Sequence, residues 1–279
     1  MAVGKLLITT GWLPATGNFM DDYTAKKSLG QHWLRDADSL QAMCSSAEIE
    51  SQDNVLEIGP GLGTLTKLLV EQSSSVTAVE FDRDLANTLP SRLKASNLEV
   101  VNEDILQFDL NKMPADYKLV ANIPYYLTSN LIRKISESTN PPLIAVLLIQ
   151  KEVAQRVVAE PGDMSLLSVT AQFYWQTSLG REVPAELFDP APKVDSQILI
   201  LKKRTKLLFD DVDPKDLFRV VKAGFSQRRK TLLNSLSAGL QIDKKIATQV
   251  LEDAGIATNR RPQTLSLEDW RNIYIALKT

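Results

Sequence analysis

The sequence predicts an α/β protein: a Rossmann-like, mostly parallel sheet followed by a small all-helical region. One observation is the apolar strand at residues 55–58, which runs into the glycine-rich turn 59–63 and then into a helical pattern. Another is that later apolar segments are followed closely by polar residues, namely Glu80, Asp104 and Asn122. Because ligands bind outside the carboxyl ends of the strands in open α/β sheets, this order predicts one binding crevice at that edge.

The remaining elements follow in chain order. Strands are predicted at residues 76–80, 98–101, 117–121 and 143–149, and helices at 127–135 and 152–159. Beyond residue 213, apolar residues recur at helical spacing, at Leu217, Val220, Val221 and Phe225 and then at Leu232, Leu233, Leu236 and Leu240. We therefore expect a main domain at 25–205 and a helical domain at 206–279.

Composition excludes several classes of protein. The 279 residues are 44% hydrophobic and 24% charged, which is ordinary for a globular chain of this length. Cys44 and His32 are the only residues of their kinds, so an internal disulfide is excluded and no metal is expected. No apolar run is long enough to span a bilayer, so we expect a cytoplasmic protein with no membrane partner. Residues 1–24 lack the pattern of a signal peptide and are expected to form a flexible arm.

The glycine turn and the first two acids indicate a nucleoside site. Gly59 and its neighbours allow positive φ and a close approach of the backbone to a ligand. Glu80 lies about 20 residues beyond the first glycine, where a ribose-binding carboxylate is expected. Asp104 is placed to accept a hydrogen bond from an adenine amino group. The G-x-G-x-G spacing is weak on its own, and each acid taken singly is also typical of a helix cap or a solvated charge.

The segment 122–126, Asn-Ile-Pro-Tyr-Tyr, indicates methylation of a planar exocyclic amine. The Asn122 side-chain oxygen and a backbone carbonyl near Ile123 would each accept one hydrogen of the amine and localise its lone pair. Tyr125 would stack on the base, as aromatic residues do in enzymes that hold an unpaired nucleotide. The alternative is an ordinary proline turn with tyrosines in the core.

Taken together, the motifs give the chain a clear resemblance. It resembles the ribosomal RNA adenine N6,N6-dimethyltransferases over almost its whole length. The matching segments are residues 26–34, 57–61, 80–82, 122–125, 192–196 and 225–232. The resemblance implies a class I methyltransferase fold with a seven-stranded sheet, in which residues 166–175 and 196–201 supply the last strands.

The resemblance also implies the methyl donor and the residues that contact it. The donor is S-adenosyl-L-methionine, and its expected contacts are His32, Leu34, Gly59, Glu80, Asp104 and Asn122. His32 stands where the family usually has asparagine, so its assignment is less secure than that of Glu80. Phe188 is expected either to cover the face of the target base opposite Tyr125 or to pack as a buried hydrophobic side chain beneath its own loop.

By the same resemblance, the substrate is two adjacent adenosines in the 3′-terminal hairpin of small-subunit (16S) rRNA, and the setting is small-subunit biogenesis. The net charge of -2 argues against indiscriminate nucleic-acid binding, so basic residues must act locally. Those expected to bind RNA are Lys26, Lys27, Arg228, Arg229 and Lys230, the last three opening a helix. With residues 202–206 they would form a stripe leading to Asn122, although each cluster alone is typical of a solvated surface. We expect a monomer acting on rRNA in a partly assembled 30S subunit.

Three other functions fit part of the pattern. A nicotinamide-dependent oxidoreductase would use the glycine turn and Glu80 but gives no reason for Asn122 and Tyr125. A methyltransferase of large-subunit rRNA shares the Asn122 loop, although residues 225–232 resemble the small-subunit enzymes more closely. A noncatalytic assembly factor would keep the fold alone, but the intact Gly59, Glu80, Asp104 and Asn122 argue against loss of activity.

Overall fold

A computed structural model describes residues 25–26, 29–227 and 229–278. The predicted arm at 1–24, Lys27 and Arg228 therefore lie outside the described residues. The strands of the main sheet are β2 (Asn54–Ile58), β3 (Ser75–Glu80), β4 (Leu98–Asn102), β5 (Lys118–Asn122), β6 (Ile144–Gln150), β7 (Trp175–Val183) and β9 (Ser196–Lys203). The sheet is mixed, and its strand order is β4-β3-β2-β5-β6-β9-β7.

Only β9 runs against its neighbours in this sheet. It pairs antiparallel with β6 on one side and with β7 on the other, while β2 to β6 pair parallel. The seven-stranded, mostly parallel sheet is thus confirmed. A separate two-stranded ladder joins β1 (Trp33–Leu34) to β8 (Phe188–Asp189).

Helices cover both faces of the sheet and form the C-terminal region. They are α1 (Ala37–Ser46), α2 (Thr64–Gln72), α3 (Arg83–Leu93), α4 (Thr128–Glu137), α5 (Lys151–Val157), α6 (Leu166–Tyr174), α7 (Pro214–Phe225), α8 (Leu232–Leu240), α9 (Lys244–Asp253) and α10 (Leu267–Ala276). Across the described ranges, no helix has the length and apolar character needed to cross a membrane.

Alternate residues of the central strands enter two different cores. On β5, Leu119 and Ala121 join the cluster covered by α4 and α5, whereas Val120 joins the cluster covered by α1 and α2. The strand is buried on both faces because helices lie on both sides of a parallel sheet. This explains why the strands read as continuous apolar runs in the sequence.

The prediction of a strand at residues 166–175 is wrong. Residues Leu166–Tyr174 form α6, which begins with a reciprocal capping box between Ser165 and Ser168. Buried apolar residues alternate in this helix, at Val169, Ala171 and Phe173. Ala171 packs into the core beneath the sheet, whereas Val169 and Phe173 pack into the helical domain. A helix that is buried on two sides loses its single apolar stripe and imitates the period of a strand.

The α6 residues also bear on the expected division into domains. The core of the C-terminal helices includes Met164, Val169 and Phe173 together with Leu217 and Trp270. The Phe173 ring contacts the Phe218 ring edge-on at 5.5 Å between centroids. The helical domain therefore packs on a helix that precedes residue 206, and the division at 205/206 stays a prediction.

The predicted basic stripe at residues 202–206 is wrong in its position. Lys202 pairs with Ile144 at the start of β6, whereas Asn122 pairs with Leu148 near the end of β6. Four residues of β6 separate these two pairs, so Lys202 lies roughly 13 Å from Asn122 along the strand direction, at about 3.3 Å per residue. Because β9 runs antiparallel, its lysine-rich C-terminal end lies at the opposite edge of the sheet, where Lys202 pairs with Glu48.

Candidate active site

A cavity of ≈ 400 Å³ lies at the carboxyl ends of β2, β3 and β5. Its volume is in the range of sites for small molecules and cofactors. All the residues predicted as catalytic or donor-binding line it together: His32, Leu34, Gly59, Glu80, Asp104, Asn122, Tyr125 and Phe188. The single crevice expected from successive strand ends is present.

The glycine turn forms the floor of this cavity. Gly59 and Gly61 adopt positive φ values of 66° and 55°, which favour glycine. A Cβ on Gly61 would also lie only 3.2 Å from the Trp33 ring. The turn leads directly into α2, and Gly59, Pro60 and Gly61 line the cavity.

Glu80 is held in place by backbone donors. Its Oε2 accepts a hydrogen bond from Gly61 N at 3.1 Å, and its Oε1 accepts one from Asp82 N at 2.8 Å. The side chain is buried, and burial raises the pKa of this carboxyl above its usual value, against the opposing effect of these hydrogen bonds. A carboxylate has about four acceptor positions, so Glu80 can accept from a ligand hydroxyl in addition to these backbone donors.

Two further carboxyls line the donor half of the cavity. Asp104 Oδ1 accepts a hydrogen bond from Leu106 N at 2.9 Å, which fixes the side chain at the turn after β4. Glu57 is only 1% exposed, and burial, reinforced by the negative charge of Glu80, raises its pKa to about 8. This shift favours the neutral, protonated form of Glu57 beneath the glycine turn.

The Asn122 amide has a defined orientation. Its Nδ2 donates a hydrogen bond to the backbone carbonyl of His32 at 3.2 Å. A carbonyl can only accept, so the amide must direct its NH2 group to His32 and its Oδ1 elsewhere. Within the described chain, no hydrogen bond engages Asn122 Oδ1 or the Ile123 carbonyl. Two acceptors are thus available side by side.

Tyr125 lies beside this amide and is also anchored. Its hydroxyl forms a hydrogen bond of 3.0 Å with Ser196 Oγ at the start of β9. Burial raises the pKa of the Tyr125 phenol, so it is neutral at pH 7. The His32 ring lies nearly parallel to the Tyr125 ring, at 17° and 6.3 Å between centroids, and His32 Nδ1 contacts the Pro190 carbonyl at 2.6 Å.

Leu34 and Phe188 meet across the small β1–β8 ladder. They are directly paired in register, and both are buried in the core that α1 and α2 cover. Phe188 is 6% exposed and still reaches the cavity wall. Its contact with a target base stays a prediction.

Of the residues predicted to bind RNA, the structure describes Lys26, Arg229 and Lys230, and none of these three lines the cavity. Lys26 forms ion pairs with Asp82 at 2.9 Å and with Asp84 at 3.0 Å. Arg229 and Lys230 are exposed in the turn between α7 and α8. The expectation that this cluster opens a helix is wrong, since α8 begins at Leu232 after the cap residue Thr231.

Sequence reasoning missed two partners of the site. Ser196 stands in one of the segments that match the family, and its buried hydroxyl forms a hydrogen bond with Tyr125. Tyr126 was not distinguished from Tyr125, although its side chain is 63% exposed at the cavity. No sequence signal reveals the Ser196 contact, because the two residues are 71 positions apart. Within the described residues there is no group of His, Cys, Asp and Glu side chains suited to a metal ion.

Comparison with known proteins agrees with this geometry. Residues 23–277 match the family described as ribosomal RNA adenine dimethylase. The ribosomal RNA small subunit methyltransferase A of Dehalococcoides mccartyi is 40% identical over 258 residues, which cover 90% of this chain and 89% of that protein. The protein of the same name from Desulfitobacterium hafniense is 42% identical over 253 residues, covering 89% and 91%.

Two solved structures of adenine-modifying or rRNA-modifying methyltransferases also align with most of this chain. A dimethyladenosine transferase from Plasmodium falciparum aligns with a TM-score of 0.74 at 27% identity, over 88% of this chain and 98% of that one. The 23S rRNA methyltransferase ErmE aligns with a TM-score of 0.70 at 28% identity, over 88% and 100%. The chain belongs to the ribosomal RNA adenine dimethylase family and is an S-adenosylmethionine-dependent rRNA adenine dimethyltransferase.

Proposed function

We propose that this enzyme dimethylates N6 of two adjacent adenosines in the 3′-terminal hairpin of small-subunit rRNA, with S-adenosyl-L-methionine as methyl donor. The observation that carries the proposal is the pair of acceptors at the end of β5. Asn122 Nδ2 is bound to the His32 carbonyl, so Asn122 Oδ1 and the Ile123 carbonyl are left to accept the amino hydrogens of adenine. The names of the relatives that are 40–42% identical favour the small subunit over the large one.

The residues on the donor half fit S-adenosylmethionine. Glu80 presents a carboxylate whose orientation is fixed by two backbone N–H groups, and it is suited to accept both ribose hydroxyls. Asp104 is suited to accept from the adenine amino group, since its Oδ2 accepts no hydrogen bond from any described residue. The bound donor supplies an electrophilic methyl group on a sulfonium.

The acceptor half orients the nucleophile. The lone pair of adenine N6 is delocalised into the ring, and hydrogen bonds from its two hydrogens to Asn122 Oδ1 and the Ile123 carbonyl favour a pyramidal nitrogen. That lone pair forms the new N–C bond while the S–CH3 bond breaks and its electrons stay on sulfur. The positively charged nitrogen then loses a proton to water. Positioning and charge stabilisation supply the catalysis, and no general base is required.

Tyr125 holds the ring of the target base. Its phenol is neutral and tethered to Ser196, so the ring has a fixed plane on which a base can stack. Dimethylation adds a demand, because the monomethylated amine keeps only one hydrogen for two acceptors. In the second round one of the two acceptors must lose its hydrogen bond to N6, and the pocket around N6 must admit a methyl group.

The proposal includes the setting of the reaction. The substrate is small-subunit rRNA within a partly assembled 30S subunit, and the enzyme acts there as a monomer in the cytoplasm. The acidic net charge of -2 supports a structured partner, because shape must supply what bulk charge does not. Light scattering of the purified enzyme tests the monomer, and a comparison of free rRNA with partly assembled subunits tests the substrate.

Mass spectrometry of treated rRNA tests the function directly. Purified enzyme and S-adenosylmethionine are incubated with unmodified small-subunit particles, and dimethyladenosine is mapped to individual positions. We expect two adjacent dimethyladenosines in the 3′-terminal hairpin, and none with Asn122→Ala in the same time. Product on large-subunit RNA, or at an isolated adenosine, would overturn the proposal.

A further inference from the structure

Tyr126 is an exposed aromatic residue at the mouth of the active-site cavity. It follows Tyr125 in the short 3-10 helix Tyr125–Leu127, and its side chain is 63% exposed. Successive residues of a 3-10 helix point about 120° apart. Because Tyr125 turns toward Ser196, Tyr126 must point in another direction and reaches the rim of the cavity.

The Tyr126 ring is supported although it is exposed. Gly30 has a φ of 64°, and a Cβ placed on it would lie 3.8 Å from Tyr126 Cε1 and 3.5 Å from Pro124 Cβ. The turn at Gly30 thus packs against the edge of the ring and against the proline that precedes the two tyrosines. An aromatic side chain has few rotatable bonds, so a ring supported in this way loses little entropy on binding.

A second exposed aromatic residue at the cavity belongs to the other half. Phe81 is 61% exposed and follows Glu80, the ribose-binding acid at the end of β3. Tyr126 follows the acceptor Asn122 at the end of β5, and β2 separates these two strands in the sheet. Tyr126 therefore lies on the side where RNA, and not the methyl donor, is bound.

We propose that Tyr126 is a stacking platform for the base next to the target adenosine in the RNA. This inference rests on the proposed function. A base taken out of its stack leaves its neighbour with an uncovered face, which is unfavourable in water. Tyr125 and Tyr126 are adjacent in the chain and their side chains point in different directions at the cavity, so two neighbouring bases can each contact one ring. The target base lies on Tyr125 and the adjacent base on Tyr126.

Asn130 adds a polar group to this platform. It is exposed on α4, four residues after Tyr126, and also lines the cavity. Its amide offers both donors and an acceptor to the edge of a base that stacks nearby. The platform thereby combines a stacking face, which accepts any base, with a group able to prefer adenine.

Variants of Tyr126 test the platform. With Tyr126→Ala, the KM for an RNA hairpin carrying the two adjacent adenosines is expected to rise about 5-fold to 150-fold, the range for loss of one stacked base. Tyr126→Phe keeps the ring and should behave like the wild type. Tyr126→Leu keeps apolar volume against Gly30 and should show most of the loss. Calorimetric affinity for S-adenosylmethionine should stay unchanged in all three.

A base deletion in the RNA makes the test specific. Two hairpins are compared, each with an abasic nucleotide on one side of the target adenosine. One of the two should bind the wild-type enzyme more weakly than the intact hairpin does, and Tyr126→Ala should add nothing to that loss. Additive losses at both positions, or an unchanged KM in Tyr126→Ala, would overturn the platform. Ile246→Ala, which removes a 54% exposed apolar side chain from α9, is the matched control. If the wild type itself gave no dimethyladenosine, the proposed function and not the platform would have failed.

Discussion

The two halves of the active site are built in different ways. In the donor half, Glu80 is oriented by Asp82 N, two residues away, and by Gly61 N, 19 residues away. In the acceptor half, Asn122 is oriented by His32, 90 residues away, and Tyr125 by Ser196, 71 residues away. The Glu80 part of the donor half is therefore fixed within one strand–turn–helix–strand unit, whereas the acceptor half requires contacts between distant segments of the folded chain.

The difference indicates which changes should separate donor binding from RNA methylation. Local backbone hydrogen bonds hold the donor half, so its side chains can be altered with little effect on the acceptor half. Long-range contacts hold the acceptor half, so its changes should reduce turnover while the donor still binds.

Asn122→Ala should have the largest effect. Loss of one preorganised acceptor is expected to lower single-turnover methyl transfer about 10²-fold to 10³-fold, as for oxyanion-hole donors. Donor affinity, measured by calorimetry, should change far less. Asn272→Ala, an exposed asparagine on α10, is the matched control. An unchanged single-turnover rate in Asn122→Ala would refute its role.

Glu80→Gln tests the donor half. The amide keeps the shape of the carboxylate, but its NH2 group would face the N–H of Gly61 or of Asp82. Loss of charged hydrogen bonds of about 1.5–3 kcal/mol corresponds to a rise of about 10-fold to 100-fold in the Kd for S-adenosylmethionine. RNA affinity should be unchanged. Glu99→Gln, on the neighbouring strand β4 and exposed, is the control, and equal effects of both variants would contradict the assignment.

The buried acid Glu57 should make stability depend on pH. Its pKa is raised by burial from 4.5 to about 8, so the native state holds a proton that the unfolded state has released between these values. The contribution of Glu57 to the free energy of unfolding should therefore fall by about 1.4 kcal/mol per pH unit between about pH 5.5 and pH 7.

Glu57→Gln isolates this contribution, because it removes the titration and keeps the size of the side chain. The slope of stability against pH, measured by urea denaturation, should be less negative in the variant by that amount. Parallel slopes for the two proteins would show that Glu57 is not neutral in the native state.

Ser196→Ala should have the smallest effect. Loss of one neutral hydrogen bond to Tyr125, worth about 0.5–1.5 kcal/mol, should lower kcat/KM for RNA about 2-fold to 10-fold. Tyr125→Phe removes the other partner, so the double variant should be no worse than either single one. Ser178→Ala on β7 is an exposed control. Additive losses in the double variant would mean that the two hydroxyls act separately.

The sequence by itself determined the elements that depend on local pattern. Apolar runs that end in turns located β2 to β6, and the pattern is strongest in the central strands β5 and β6, which are buried on both faces. The chain order of Gly59, Glu80, Asp104 and Asn122 located the crevice, because successive parallel strands end at the same edge. The resemblance of the motifs supplied the family, which the matching residues 23–277 confirm.

Only the tertiary structure decided what depends on contacts between distant segments. It showed that residues 166–174 form a helix. The sequence does not reveal this helix, because it is buried on two sides and its apolar residues do not follow the helical period. It placed Lys202 at the far edge of the sheet, because the direction of β9 is set by pairing and not by composition. It also separated Tyr125, tethered to Ser196, from the exposed Tyr126, a distinction between two identical neighbours that exists only once the chain has folded around them.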